Sequence, residues 1–148
     1  MFHSNQINSI HERALRLVYK DPHLSFQELL EKDKSFSIHD RNLQKLTIEM
    51  YKAKNNLTPN FMELICPKRN KPYNLRFHNP FTSRNVKSVH NGTETLSFQG
   101  PKIWEKVPDE IKKSTSIFEF KAKIKHWKPV DCECRICKIY IGGLGFIE

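Results

Sequence analysis

The sequence predicts a mainly α-helical protein with one small β-hairpin (α+β). Apolar residues recur at three- and four-residue spacing in several segments, which is the helical period, and two Ser-x-x-Glu capping boxes precede such segments. Asn91-Gly92 lies between short apolar stretches and favours a type I′ turn, because both central residues of that turn need a positive φ. We therefore expect a helical N-terminal half, followed by a hairpin plus helix and a Cys-rich tail in the C-terminal half.

Four helices are expected in the N-terminal half. The first runs from Ile7 to Lys20 and ends before Pro22, whose ring disfavours helical geometry at the residue before it. The second begins at the capping box formed by Ser25 and Glu28. The apolar residues that share one face of the first helix are Ile7, Ile10, Ala14, Leu17 and Val18.

The third helix has the strongest apolar pattern in the chain. Ser37 and Asp40 resemble a cap, and a short fourth helix is expected after Thr58-Pro59, a cap residue followed by proline at the first helical position. Residues that mark the apolar stripe of the third helix are Leu43, Leu46, Met50 and Ala53.

The hairpin is expected between Val86 and Phe98, with Leu96 and Phe98 alternating on its second strand. A second capping box, Ser116 with Glu119, begins the last helix, which extends to about Trp127. Its core face is expected to consist of Ile117, Phe120, Ile124 and Trp127, and its lysines are interpreted as a solvated face.

These elements suggest four regions along the chain. They are a helical segment (1–66), a basic linker that contains prolines and aromatics (67–85), a hairpin plus helix (86–128) and a Cys-rich tail (129–148).

The chain is strongly basic, with 25 Lys and Arg against 16 Asp and Glu, a formal charge of +9 and a pI near 9.5. An excess of cations favours polyanionic partners, because each phosphate contact releases condensed counterions. The alternative is a solvated surface that happens to be basic.

The basic linker interleaves cations with aromatic rings. Cations on phosphates and rings under bases suit a strand of nucleic acid, RNA or DNA. The alternative is a solvated linker whose aromatics contact the helical half. Candidate nucleic-acid-binding residues are Arg69, Lys71, Tyr73, Arg76, Phe77 and Arg84.

Three cysteines of the tail form a Cys-x-Cys-x-x-Cys run at Cys132, Cys134 and Cys137. Two cysteines separated by two residues can bind one tetrahedral zinc ion, so one structural zinc is expected, with His126 or Cys66 as the fourth ligand. The alternatives are three reduced surface thiols, or a half-site that a partner chain completes.

Sequence features also bear on compartment and catalysis. No apolar run reaches the ~20 residues of a membrane helix, and the N-terminal residues lack the pattern of a signal peptide. We expect a cytoplasmic or nuclear protein that is not secreted and has no membrane partner. No catalytic residue is identified, because the five aspartates are scattered and never adjacent, whereas a two-metal polymerase site needs clustered aspartates.

Several blocks, in this order, resemble the region after the polymerase core in non-LTR (LINE-type, jockey-like) retrotransposon reverse transcriptases. The Gly-Pro-x-x-Trp motif of that region is matched from Gly100 to Trp104, and Val107-Pro108 resembles its Leu-Pro pair. The other similar blocks are Ile10–Tyr19, His39–Gln44, Ile48–Lys52, Tyr73–Arg76 and Trp127–Pro129 with the following cysteines.

The resemblance implies a non-catalytic C-terminal fragment of an RNA-directed DNA polymerase. The Tyr-x-Asp-Asp motif and the endonuclease of that family lie upstream of the matching region and are not in this sequence, so no catalytic residue is carried over. The implied role is to bind template RNA or target DNA during target-primed reverse transcription. The alternatives are a structural or protein-interaction module that packs on the polymerase core, and a functionless relic of a dead element.

Overall fold

In a computed structural model of the chain, the described residues are 2–69, 79–82 and 95–128. Over these ranges the chain is mainly α-helical, which confirms the predicted fold class. The strand pairing in the same ranges is one isolated antiparallel bridge between Lys68 and Phe81. The helices are α1 (Phe2–Tyr19), α2 (Phe26–Asp33), α3 (Ile38–Lys54), α4 (Met62–Ile65), α5 (Leu96–Lys106), α6 (Asp109–Lys112) and α7 (Ile117–Ile124).

The described residues divide into two compact units, and the division lies inside α3 between Asn42 and Leu43. We call residues 2–42 unit 1 and the described residues from 43 to 128 unit 2. Unit 2 combines residues from three of the four regions suggested by the sequence.

Unit 1 is built on the contact between α1 and α2. Leu15 of α1 packs against Leu29 and Leu30 of α2, and all three are buried. The predicted capping box is confirmed, since Ser25 Oγ accepts from the Glu28 N–H at 3.3 Å and the Ser25 N–H donates to Glu28 Oε2 at 2.7 Å. This cap fixes the first turn of α2, the helix that carries two of the three buried leucines.

The apolar face predicted for α1 forms, but it is exposed. Leu17 is 79% exposed, Val18 69% and Ile10 66%, and Ile7 and Ala14 are also on the exposed side. The neighbouring side of α1, at Leu15, is the side that α2 covers. The strongest apolar stripe of unit 1 is therefore not part of its core.

Aromatic rings from three helices form the centre of unit 2. Tyr51 of α3 stacks on Phe120 of α7 with ring centroids 4.1 Å apart, and Phe120 lies 6.1 Å from Trp104 of α5. Phe81 meets Trp104 edge to face at 6.0 Å. Such pairs contribute roughly 0.5–1.5 kcal/mol each beyond their buried area, so these contacts hold α3, α5 and α7 together.

Two polar contacts of α3 fix both ends of α7. The Tyr51 hydroxyl donates to the Ser114 carbonyl at 2.9 Å, just before α7 begins. Gln44 Nε2 donates to the Trp127 carbonyl at 2.8 Å, just after α7 ends. Because its entry and exit are both bonded to one long helix, α7 has a defined rotation about its own axis.

Helices α3 and α5 approach closely at Gly100. A Cβ atom at this position would run into the Sδ atom of Met50, which is fully buried. A side chain here would force Met50 to shift, so glycine is favoured by the space between the two helices and not by its backbone conformation.

The predicted hairpin is not confirmed. Residues 83–94 lie outside the described residues, but Leu96 and Phe98, predicted on the second strand, lie in the first turn of α5. The physical reason is a longer helical period, in which Leu96, Ile103 and Trp104 pack together on the core of unit 2. The alternation of Leu96 and Phe98 covers three residues and is too short to compete with this period.

Backbone hydrogen bonds hold the two flanks of the basic stretch together. The Arg69 N–H donates to the Pro80 carbonyl at 2.8 Å, and the Thr82 N–H donates to the Pro67 carbonyl at 2.9 Å. Asn79 Nδ2 donates to the Pro101 carbonyl at 3.0 Å, which joins this bridge to α5. Arg69 is therefore attached to the folded part of unit 2.

Candidate nucleic-acid interface

Positive charge is unevenly distributed along the chain. Residues 43–132 contain 17 Lys and Arg against 8 Asp and Glu, whereas residues 1–42 contain six of each. The formal charge of +9 therefore belongs to the sequence range of unit 2. Any polyanion attracted by net charge is attracted to that unit.

Of the residues predicted to bind nucleic acid, Arg69 lies within the described part of the chain. Its side chain is exposed beside Lys68, whose Nζ donates to Asn56 Oδ1. The remaining predicted residues, Lys71, Tyr73, Arg76, Phe77 and Arg84, lie outside the described residues. Their role stays a prediction.

Helix α7 presents a second basic surface, which the sequence alone did not reveal as a site. Its buried side carries Phe120 and Ile124, both at most 1% exposed, as predicted. Its outer side carries Phe118, 79% exposed, together with the exposed Lys121, and the exposed Lys125 continues this side as the C-cap residue directly after α7. Residues at i, i+3 and i+7 lie on one face of a helix, so an aromatic ring and two cations share the outer face.

The N-terminus of α7 differs in part from the predicted capping box. Ser116 Oγ accepts from the Glu119 N–H at 3.1 Å, as expected for the cap. The Glu119 carboxylate, however, accepts from the Thr115 N–H at 2.9 Å instead of from Ser116. The Glu119 carboxylate thus bonds to the backbone one residue upstream of the N-cap residue Ser116.

Glu119 also forms an ion pair that separates the lysines of α7 into two groups. Lys123 Nζ lies 2.6 Å from Glu119 Oε1. This hydrogen bond from Lys123, followed by those from Thr115, lowers the pKa of the Glu119 carboxyl from its ordinary value of 4.5 to about 2. Lys123 thus has a local counterion, whereas Lys121 and Lys125 form no ion pair within the described residues.

The sequence contains a pattern that indicates the outer face of α7, although the alternating lysines make it hard to recognise. Lys121, Lys123 and Lys125 alternate, so they suggest a uniformly basic helix. Phe118, however, is out of phase with the core residues Phe120 and Ile124 and in phase with Lys121 and Lys125. An aromatic residue displaced from the core stripe by two positions is the feature that identifies the face.

The zinc ligands predicted by the sequence are only partly within the described residues. Cys132, Cys134 and Cys137 lie outside them. His126 is exposed in the turn after α7, whereas Cys66 is 1% exposed in the core of unit 2, with its Sγ 3.9 Å from Met50 Sδ. Of the two candidates for the fourth ligand, His126 is the one that solvent can reach.

No group of three His, Cys, Asp or Glu residues is arranged to hold a metal ion within ranges 2–69, 79–82 and 95–128. Altered pKa values outside α7 have local causes: the Tyr19 pKa is raised by its hydrogen bond with Asp33, and the Glu28 pKa is lowered by Ser25. Over the same ranges, no helix is long and apolar enough to cross a membrane.

Comparisons with known proteins give no relative for this chain. No protein-family model matches it, and neither a curated protein nor a solved structure is similar to it.

Proposed function

We propose that this chain is a non-catalytic nucleic-acid-binding module, equivalent to the C-terminal fragment of a non-LTR retrotransposon reverse transcriptase. The observation that carries the proposal is the concentration of net positive charge in the sequence range of unit 2, with exposed cations at Arg69 and on α7. The resemblance of the sequence blocks to that family supports the same role, with template RNA or target DNA as the ligand.

Salt dependence of binding tests the proposal. The full chain, purified under reducing conditions, is titrated against labelled single-stranded RNA and duplex DNA at several salt concentrations. Five phosphate contacts predict a log–log slope of about −3.5 for single strands and about −4.5 for duplex. A soluble, folded chain whose affinity does not change with salt would contradict the proposal.

The zinc prediction is tested on the same preparation. One equivalent of zinc, measured by mass spectrometry, is expected if the cysteines of the tail bind the ion as thiolates. Replacing His126 with alanine is expected to weaken retention of zinc against a chelator if His126 is the fourth ligand. Unchanged retention would leave Cys66 or a partner chain as the source of that ligand.

A specific observation favours a second candidate function for unit 1, the packing of this chain on the polymerase core. The apolar stripe of α1 is exposed, and the cations Arg13 and Lys20 lie along one border of it. A helix with an apolar stripe and acidic flanks would fit this surface, because the apolar faces exclude water and the flanking charges attract. A second copy of α1 fits less well, since antiparallel pairing would place Arg13 beside its own equivalent.

Sedimentation of the full chain tests this second function. We expect a monomer at micromolar concentration that binds a synthetic amphipathic helix with acidic flanks, and loses that binding when Leu17 is replaced by serine. Leu64→Ser is the matched control, because Leu64 is a leucine of unit 2 with 73% exposure. A dimer that Leu17→Ser dissociates would instead assign the stripe to self-association.

A further inference from the structure

Phe118 lies on the surface of unit 2 and does not contribute to its core. Phe120, two residues later, fills the aromatic core, while 79% of Phe118 faces solvent. Ala122, one turn further along on the same face, is also exposed and has no atoms beyond Cβ. The ring of Phe118 is thus not covered from that side, and one of its faces is accessible.

Single exposed apolar residues are common on protein surfaces, so exposure alone does not indicate a site. What distinguishes Phe118 is the pair of cations on the same face. Lys121 lies about 4.5 Å and Lys125 about 10 Å further along the helix axis, at 1.5 Å per residue. Neither forms an ion pair within the described ranges, whereas Lys123, on a different side of the helix, is paired with Glu119.

A membrane surface is a poor ligand for this face. A helix that binds in the membrane interface buries a broad apolar side below the headgroups. The apolar side of α7 is already buried in unit 2 through Phe120, Ile124 and the partly buried Ile117. One exposed ring without that side leaves little to insert.

We propose that Phe118 is a stacking site for one base of a single-stranded nucleic acid, with Lys121 and Lys125 binding the adjacent phosphates. This inference rests on the proposed function and names its ligand class. Stacking on an aromatic ring is available to every base because each has a π-face. In a duplex both faces of each base are already occupied by neighbouring base pairs, so Phe118 has no face to stack on. The site therefore selects single strands.

The first experiment compares Phe118→Ala with Phe61→Ala in the full chain. Phe61 is an exposed phenylalanine of unit 2, followed two residues later by Glu63 and by no lysine in the next turn. The probes are an oligothymidylate of about 16 nucleotides, the upper end of single-strand site sizes, and a duplex of matched length. We expect Phe118→Ala to weaken binding of the oligothymidylate about 5- to 150-fold, and to leave duplex binding unchanged. Phe61→Ala is expected to change neither.

Phe118→Trp tests the stacking directly. Both tryptophans of the chain, Trp104 and Trp127, are buried, so the new indole is the exposed fluorophore. We expect this variant to retain single-strand affinity and to lose fluorescence when the oligothymidylate binds, since a stacked base quenches the indole. Retained affinity without quenching would place the strand elsewhere on unit 2.

The lysines are tested by the salt slope. Lys121→Ala with Lys125→Ala is expected to make the single-strand slope less steep by about 1.4, or about 0.7 for each lost contact. Lys123→Ala is the matched control and is expected to change the slope less, because Lys123 is already paired with Glu119.

The outcomes separate this inference from the function on which it rests. Salt-dependent binding that Phe118→Ala leaves unchanged, or weakens equally for single strands and duplex, would overturn the stacking site and leave the proposed function standing. An unaltered chain without salt-dependent binding would overturn both. Binding to anionic vesicles that Phe118→Ala abolishes would assign the face to lipid and overturn the inference. Circular dichroism of each variant verifies that the helices are intact.

Discussion

The two units of this protein bury and expose opposite kinds of side chain. Unit 1 buries three leucines and exposes the apolar stripe of α1, over a sequence range with equal numbers of acidic and basic residues. Unit 2 buries twelve hydrophobic residues, five of them aromatic, and exposes lysines, over a range that holds the whole net charge. The chain thus offers an apolar surface on one unit and a cationic surface on the other.

This difference shows why the overall composition is a poor guide to function. A formal charge of +9 suggests a uniformly basic protein, but the first 42 residues have no net charge. The two proposed partners, protein for unit 1 and nucleic acid for unit 2, differ in chemistry in the same way as these two surfaces. Four substitutions test whether the two units differ in this way, and they differ in how much stability each is expected to remove.

Phe120→Ala is expected to have the largest effect, because it removes the ring that stacks on Tyr51 and lies beside Trp104. Truncation of a buried phenylalanine lowers the free energy of unfolding by about 3–5 kcal/mol. Hydrogen exchange is expected to show loss of protection in unit 2 only. The control is Phe118→Ala on the same helix, for which a surface change within about 0.5 kcal/mol is expected.

Equal loss of protection in both units after Phe120→Ala would contradict the division inside α3. The two units would then unfold as one cooperative body, and the contrast between them would concern their surfaces alone.

Leu29→Ala is the corresponding change in unit 1. Leu29 is fully buried and is one of only three buried leucines in that unit. The expected loss in the free energy of unfolding is about 2–5 kcal/mol. Because the core of unit 1 is small, we expect this loss to unfold the unit, so that the amides of α1 and α2 exchange rapidly. Leu17→Ala is the matched control, since Leu17 is a leucine of the same unit with 79% exposure.

The helical architecture was predictable because it depends on local patterns. The Ser25 capping box and the core phase of Phe120 and Ile124 follow from residues within one or two turns of each other. The hairpin is not confirmed, since Leu96 and Phe98 lie in the first turn of α5 and their alternation is equally compatible with a helix. A period of two over three residues does not distinguish strand from helix.

The surfaces were less predictable than the elements. The stripe of α1 was visible in the sequence, but its exposure depends on which side α2 covers, and that is a tertiary choice. Likewise, the exposure of Phe118 follows from the bonds that Tyr51 and Gln44 make to the two ends of α7. These bonds join positions more than 60 residues apart in sequence, beyond the reach of any local pattern.

Gly100→Ala is expected to have an intermediate effect. The added methyl group would meet the Sδ atom of Met50, and Met50 is fully buried, so its side chain has to shift within the core. Overpacking of this kind costs about 1–3 kcal/mol, partly offset by the gain of about 0.5–1 kcal/mol from replacing glycine within a helix. Chemical denaturation measures the net loss.

Removal of the obstructing side chain provides the control for Gly100→Ala. In the double variant with Met50→Ala, the new methyl group is expected to fill part of the space that the methionine leaves. The double variant should therefore lose less stability than the sum of the two single variants. Strict additivity would show that α3 and α5 do not approach at Gly100.

Glu119→Gln is expected to have the smallest effect on stability and the clearest dependence on pH. The pKa of the Glu119 carboxyl is about 2 in the folded chain, below its ordinary value of 4.5, chiefly because Lys123 donates a hydrogen bond to it. A carboxyl whose pKa is lowered by folding stabilises the fold above its ordinary pKa, and this contribution is lost as the pH falls from about 4.5 to about 2. Glu119→Gln should therefore flatten the pH dependence of stability in that window, and its small loss of stability should be greatest above pH 4.5, where the carboxyl of the unaltered chain is ionised in both states. The same variant releases Lys123 from its counterion, so nucleic-acid binding at neutral pH is expected to strengthen modestly and to become steeper in salt. A variant that flattens the pH dependence of stability without altering the salt slope would show that Lys123 faces away from the nucleic acid, which would confine the interface on α7 to the side of Phe118, Lys121 and Lys125.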